Sequence, residues 1–241
     1  MDELRVYAHD ELGPVELGRL LKQQGLLLVA AAPGDTEGHE VRALVGQLGT
    51  AEEHDRMGQV VWHIRYDASA ANGATASRTM EPLPLHTDGA FEEPPPRYLA
   101  QYVVREDRFG GGETLLVEVA EIVRRLSPET VETLRSTRFR FRAPAEYAKG
   151  VPHRDAPILY GDGLMRYRRV IIDESLCRSA KSALDELDAA IAAIEPTRLR
   201  LHSGTILLLD NARFLHARSE VRDPERHLLR MRFSCPAATC V

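Results

Sequence analysis

Residues 205–219 read TILLLDNARFLHARS, an apolar run that stops at the turn-favouring pair Asp210-Asn211 and resumes in a second apolar stretch carrying His216. Short apolar runs bounded by turn residues are the pattern of buried strands. The same pattern recurs on either side, in YLAQYVVR (98–105), ETLLVEV (113–119), RFRFR (138–142), ILYGDGLMRYRRVII (158–172), RLRLHSGTILLLD (198–210) and HLLRMRF (227–233). Most of these runs are short and separated by Gly, Pro or Asp, the rhythm of a sandwich or barrel. Helical patterns interrupt them twice, at 117–136, broken at Ser127-Pro128, and at 178–194. At the amino end Val15, Leu17, Leu20 and Leu21 give a helix that Gly25 stops, followed by a buried strand over 26–32, a helix over 37–48 and the strand QVVWHIRY at 59–66. Strands and helices do not alternate strictly, which argues against a Rossmann or TIM arrangement. The expected fold is α+β, a jelly-roll β core with flanking helices.

Composition agrees with one globular domain over residues 1–241, with 44% hydrophobic and 28% charged residues. Lys and Arg number 31 against 36 Asp and Glu, a net charge of −5, which leaves no excess positive field for a nucleic-acid backbone. No window has the apolar length of a membrane helix, and the first residues, MDELRVYAHDELG, lack the basic and apolar regions of a secretion signal. A cytoplasmic protein acting on a small molecule is expected, with Cys177, Cys235 and Cys240 as free thiols.

Chemistry enters at PLPLHTDGAF (82–91). In an extended segment side chains alternate faces, so His86 and Asp88 point the same way and can grip one ion, while Gly89 relieves crowding. Two residues do not make a site, and His216 is the candidate third ligand. Two imidazoles and a carboxylate on one face of Fe(II) leave positions open for a bidentate cosubstrate and dioxygen. A structural zinc site would be closed and would usually contain thiolate. The other seven histidines, at 9, 39, 54, 63, 153, 202 and 227, are read as surface or hydrogen-bonded residues.

Read as a strand, PERHLLRMRF (224–233) places Arg226, Leu228, Arg230 and Arg232 on one face and His227, Leu229, Met231 and Phe233 on the other. Arginines on a buried face need anions, so this row either reaches solvent or clamps acidic ligands. Trp62 reads as core. Arg138, Arg140 and Arg142 read as a solvated face, and Arg166, Arg168 and Arg169 as either substrate contacts or a polar face.

From about Leu26 to Phe233 the chain resembles the Fe(II)/2-oxoglutarate-dependent oxygenases of the taurine dioxygenase and clavaminate synthase-like superfamily. The resemblance rests on H-T-D-G at 86–89, G-G-G-E-T at 110–114, D-N-x-x-x-x-H-x-R at 210–218 and R-x-x-x-R at 226–230, in that order. It implies a double-stranded β-helix with His86, Asp88 and His216 as iron ligands and catalytic centre. It also implies that Thr114 and Arg226 hold the far carboxylate of 2-oxoglutarate, and that Arg230 faces an acidic group of the primary substrate. The cofactor set is then Fe(II), 2-oxoglutarate and O₂. The reaction expected is hydroxylation of an unactivated C–H of a small carboxylate- or sulfonate-bearing metabolite such as an amino acid, releasing succinate and CO₂. Asp88 fills the position that iron halogenases of this type leave to chloride, which implies oxygenation rather than halogenation. Two alternatives stay open: the same chemistry on a natural-product or carrier-tethered intermediate, with desaturation or cyclisation, and a non-catalytic jelly-roll binding protein.

Overall fold

Two-residue periodicity organises the core of the computed structural model, which describes residues 5–8, 10–54, 58–68, 76–144 and 151–235. In chain order, β1 (Val6–Tyr7), α1 (Pro14–Gln24), β2 (Leu26–Ala30), α2 (His39–Leu48), β3 (Thr50–Glu52) and β4 (Trp62–Arg65) precede β5 (Leu83–His86) and β6 (Tyr98–Arg105). Then come β7 (Thr114–Glu118), α3 (Val119–Val123), α4 (Pro128–Ser136), β8 (Phe139–Arg142), β9 (His153–Ala156), β10 (Leu159–Tyr160) and β11 (Leu164–Met165). The series ends with α5 (Arg178–Ala192), β12 (Thr197–Leu199), β13 (Thr205–Asp210), β14 (Phe214–Arg218) and β15 (His227–Ser234).

Two sheets make the sandwich. The larger runs β1-β2-β13-β6-β15-β3, with β4 beside β3 on the free edge of β15, and the smaller runs β12-β7-β14-β5. β2, β13 and β6 are apolar on both faces, as the sequence runs predict. Leu27, Val29, Ile206, Leu208, Ala100 and Tyr102 pack beneath α1 and α2. Leu26, Leu28, Leu99, Leu207 and Leu209 point the other way, meeting Leu116 and Phe214 of the smaller sheet. Helices α3 to α5 cover the far side of that sheet through Val117, Leu215, Leu134 and Leu187. The jelly-roll α+β expectation therefore holds.

The interior is apolar only at one end. On β15, Leu229, Met231 and Phe233 join the helix-covered core, whereas the opposite face turns Arg230 and Arg232 into the sandwich. Arg226, Arg230 and Arg232 are 7%, 6% and 3% exposed, so this row is not a solvated face. The smaller sheet answers with Thr114 on β7 and His216 and Arg218 on β14, all buried. The functional end of the molecule is the end where alternation places polar side chains inside.

Some local readings differ from expectation. Residues 158–172 do not form one long strand: Gly161 and Gly163 fold β10 onto β11, and a 3-10 turn over Arg169–Ile171 follows. The expected 198–210 strand is split by a turn between β12 and β13. Phe139 and Phe141 are fully buried while Arg140 and Arg142 face solvent, as expected, and Trp62 lies in the core. Cys177 and Cys235 are free thiols, and Cys240 lies outside the described residues.

Candidate active site

β5 and β14 are antiparallel neighbours with His86 directly opposite His216. Cross-strand partners stand close enough for their side chains to touch. Here the two rings lie 4.3 Å apart, centroid to centroid. Asp88 follows β5 and brings Oδ1 to 3.5 Å from His86 Nε2 and 3.8 Å from His216 Nε2. All three side chains are buried, and one ligand atom from each lies within 4.8 Å of the others.

The backbone of Asp88 is clamped from both sides by Asn211. The Asn211 amide oxygen accepts from Asp88 N–H at 2.8 Å, and its amide nitrogen donates to the Asp88 carbonyl at 3.1 Å and to the Pro96 carbonyl at 2.8 Å. Asp210 makes the turn beside it, accepting from the N–H groups of Ala212 and Arg213 and pairing with Arg97 at 2.7 Å. These bonds explain the Asp-Asn pair: one residue closes the turn, and the other ties the turn to a site residue far away in sequence. Gly89 sits at φ 61°, and a Cβ there would meet Pro96 Cδ at 2.5 Å, so the crowding expected after Asp88 is real.

The donor set suits a divalent metal. Both ring nitrogens of His216 are buried without a hydrogen-bond partner, an arrangement costly unless a ligand occupies the site. His86 Nδ1 lies 2.8 Å from the Pro84 carbonyl, which fixes Nδ1 as the protonated nitrogen and leaves Nε2 free to coordinate. Burial and the neighbouring His216 push the His86 pKa down to about 4, so the ring is neutral near pH 7. Burial alone would raise the Asp88 carboxyl, but Arg230 outweighs it and holds the pKa well below the ordinary value. Asp88 is therefore ionised. Two imidazoles and one carboxylate form a ready ligand set.

Arg230 borders two adjoining cavities. One is lined by His86, Asp88, Gly89, Phe91, His54, Arg168 and Arg232, and the other by His216, Thr114, Arg218, Arg226, Gln101 and Leu228. Arg230 Nη1 lies 2.6 Å from Asp88 Oδ2, an ion pair off the angle of a good hydrogen bond, and its Nε donates to His54 Nε2 at 3.1 Å. Burial, with Arg230 and Arg232 beside it, pushes the His54 pKa down to about 2, so His54 serves as a neutral acceptor. His54 is thus one of the hydrogen-bonded histidines that the sequence leads one to expect, but its partner, on a strand far along the chain, is not evident there.

In the second cavity Arg226 donates to the Gly112 carbonyl at 3.0 Å, and Arg218 donates to the carbonyls of Ser77, Thr79 and Glu81. Among the described residues, neither guanidinium has a carboxylate partner within ion-pair distance. Burial pushes both pKa values down to about 10, and Arg218 adds to the shift of Arg226. Asp107 offsets the shift of Arg226 only in part, and two buried cations without an ion-pair partner among the described residues call for an anionic ligand. Arg218 was read only as part of a motif, and Asn211 likewise; their roles depend on tertiary placement.

Comparison with known proteins fits this geometry. Residues 5–232 match the family model described as taurine catabolism dioxygenase TauD, TfdA family. No curated relative matches the chain. Among solved structures, an asparagine oxygenase in complex with Fe(II), 2S,3S-3-hydroxyasparagine and succinate is 21% identical, with a TM-score of 0.77 over 92% of this chain and 78% of its own. The non-haem iron oxygenase OrfP in complex with Fe and alpha-ketoglutaric acid is 19% identical, with a TM-score of 0.74 over 94% of this chain and 81% of its own. At these identities the likeness speaks to the fold, the jelly-roll of non-haem iron oxygenases. The family match covers most of the chain, and the chain belongs to the TauD/TfdA dioxygenase family, oxidoreductases that work with Fe(II) and 2-oxoglutarate.

Proposed function

We propose that His86, Asp88 and His216 hold Fe(II), that Thr114 and Arg226 hold the far carboxylate of 2-oxoglutarate, and that Arg230 faces the primary substrate. The substrate in this reading is a small metabolite bearing a carboxylate or sulfonate, such as an amino acid, and the reaction is hydroxylation with release of succinate and CO₂. Residues 1–241 act as a single oxygenase domain in the cytoplasm; among the described residues no helix is long and apolar enough to cross a membrane. The observation that carries the reading is the cavity joining His216 to two buried arginines, Arg218 and Arg226, that form no ion pair among the described residues.

When bound, Fe(II) and 2-oxoglutarate supply, with dioxygen, an oxidant strong enough to take hydrogen from an unactivated C–H. The chain does the rest. The planar guanidinium of Arg226 offers paired donors to a carboxylate, and the Thr114 hydroxyl can add a further one. Arg218, by gripping the carbonyls of Ser77, Thr79 and Glu81, holds that segment, with Ser77 in its lining, against both cavities. Arg230 and Asn211 fix Asp88 from its side chain and its backbone, so the carboxylate meets the metal in one orientation. The amino-acid compounds in the neighbours, 3-hydroxyasparagine with the asparagine oxygenase and (3S)-hydroxy-L-Arg with OrfP, support an amino-acid-sized substrate.

The test is anaerobic assembly with Fe(II) and 2-oxoglutarate, read by the visible charge-transfer band, followed by oxygenation with candidate substrates. Succinate release coupled to a gain of about 16 mass units is expected for hydroxylation, against a loss of about 2 for desaturation. His216→Ala should lose both the band and turnover. Full activity in that variant, or a chlorinated product from the native protein in chloride buffer, would overturn the assignment.

A further inference from the structure

The sequence RYRR at 166–169 supplies three arginines, and the structure gives them three fates. Arg166 is buried and spent on the Glu92 carbonyl at 3.0 Å and the Glu93 carboxylate at 3.1 Å. Arg169 pairs with Asp188 and Glu174 on the surface. Arg168, half-buried, lines the cavity that holds His86 and Asp88, and among the described residues its guanidinium has no hydrogen bond and no ion pair.

Its position is fixed by the backbone. Thr87, between the two candidate metal ligands, donates its N–H to the Tyr167 carbonyl at 2.6 Å, and Tyr167 N–H donates to Thr87 Oγ1 at 2.9 Å. The Tyr167 ring is held in the core and its hydroxyl donates to Asp188 at 2.6 Å. Arg168, the next residue, is thereby set beside the ligand strand of the smaller sheet. Arg230 enters the same cavity from β15 of the larger sheet, on the opposite wall.

Charge counting around this cavity is one-sided. Among the described residues the lining contains Arg168, Arg230 and Arg232 against a single carboxylate, Asp88. Arg232 is neutralised by Glu92, and Arg230 spends Nη1 on Asp88 and Nε on His54. Among the described residues Arg168 alone of the three has no partner for its donor fork. A guanidinium in a part-dry cavity is a strong and geometrically selective carboxylate reader.

We propose that Arg168 is a specificity-determining residue that binds a second anionic group of the primary substrate, so that the preferred substrate is a small compound with two acidic groups, one held at each wall. This rests on the functional reading above and narrows its substrate class. A site built to pair a charge discriminates against an analogue that lacks it, because the cavity's cation is left unpaired.

The probes are L-aspartate and L-glutamate with their amides, L-asparagine and L-glutamine, titrated calorimetrically into the anaerobic protein saturated with Fe(II) and 2-oxoglutarate. Saturation keeps the diacids out of the cosubstrate site. At least one diacid should bind tenfold or more tightly than its own amide. In Arg168→Gln that ratio should fall to within about twofold, whereas Arg168→Lys should keep the preference in the same direction, and thermal unfolding of each variant checks its fold. Equal affinity for acid and amide, no binding of either diacid, or an undiminished ratio in Arg168→Gln would each overturn the proposal. Failure of the native protein to form the charge-transfer band before any probe is added would overturn the underlying functional reading instead.

Discussion

Arg226 and Arg230 stand four residues apart on one face, yet they meet different neighbours, and their substitutions should separate. Truncating Arg226 to Ala should weaken 2-oxoglutarate by about 2–5 kcal/mol, the cost of leaving a buried charge without its partner. Arg230→Ala should mainly raise KM for the acidic primary substrate, with some loss of iron retention because Arg230 also touches Asp88. Steady-state constants for both ligands decide it: loss of 2-oxoglutarate affinity only in Arg230→Ala would reverse the roles. Asn211 offers a second test. Asn211→Ala leaves the Asp88 N–H and carbonyl without their clamp, and iron affinity should fall about 10–100-fold, the usual effect of removing a group that orients a metal ligand. Unchanged iron affinity would make Asn211 a purely structural residue. At this scale the candidate pair His86 and Asp88 and the arginine row were legible because alternation is a local property, whereas His216 lies 130 residues beyond His86 and joins them only through the pairing of β14 with β5. The roles of His54 and Asn211 were not legible, since each acquires its partner only when distant strands come together.

At the scale of elements, the glycine run at 110–112 has a readable purpose once β15 is in place. Gly112 adopts φ 65°, and a Cβ on it would lie 2.4 Å from Arg226 Nε. The backbone bends there so that its carbonyl can receive Arg226. Gly112→Ala should therefore displace the Arg226 side chain and weaken 2-oxoglutarate at least tenfold, measured anaerobically by the charge-transfer band; unaltered affinity would sever the link between this turn and the cosubstrate. The runs at 98–105 and 205–210 were readable as strands because both faces are buried against apolar layers. The 158–172 run was not, because β-branched and aromatic content favours a strand while Gly161 and Gly163 take up the turn that breaks it.

Across the whole molecule, the packing of neutral imidazoles sets a pH response. His54 and His227 are pushed down to about 2 and about 4, chiefly by burial, against an ordinary value near 6.5. Below about pH 6.5 the unfolded chain takes up protons that the fold refuses, so stability is full above that pH and declines beneath it, as far as about pH 4 for His227 and further for His54. The slope from His54 alone approaches about 1.4 kcal/mol per pH unit. Tm should fall steadily from pH 7 to pH 5, and more gently in His54→Gln, which retains an acceptor for Arg230 but does not titrate. A flat Tm over that range would contradict the burial of these rings. The two-sheet architecture itself was legible from strand rhythm, but the end of the sandwich that carries charge became evident only from the register of β14 against β5 and β15 against β6.

The placement of β15 has a consequence for biosynthesis. This strand, formed by residues 227–234, lies inside the larger sheet, joined to β6 on one side and to β3 and β4 on the other. A nascent chain that has not yet extruded residues 227–234 from the ribosome carries three unpaired strand edges and lacks Arg230 and Arg232, which complete the cavity beside His86 and Asp88. Such edges are templates for association with other chains. These strands can therefore complete their sheet only after residue 234 has emerged, and soluble yield should depend on chaperones that shield the waiting edges of β6, β3 and β4.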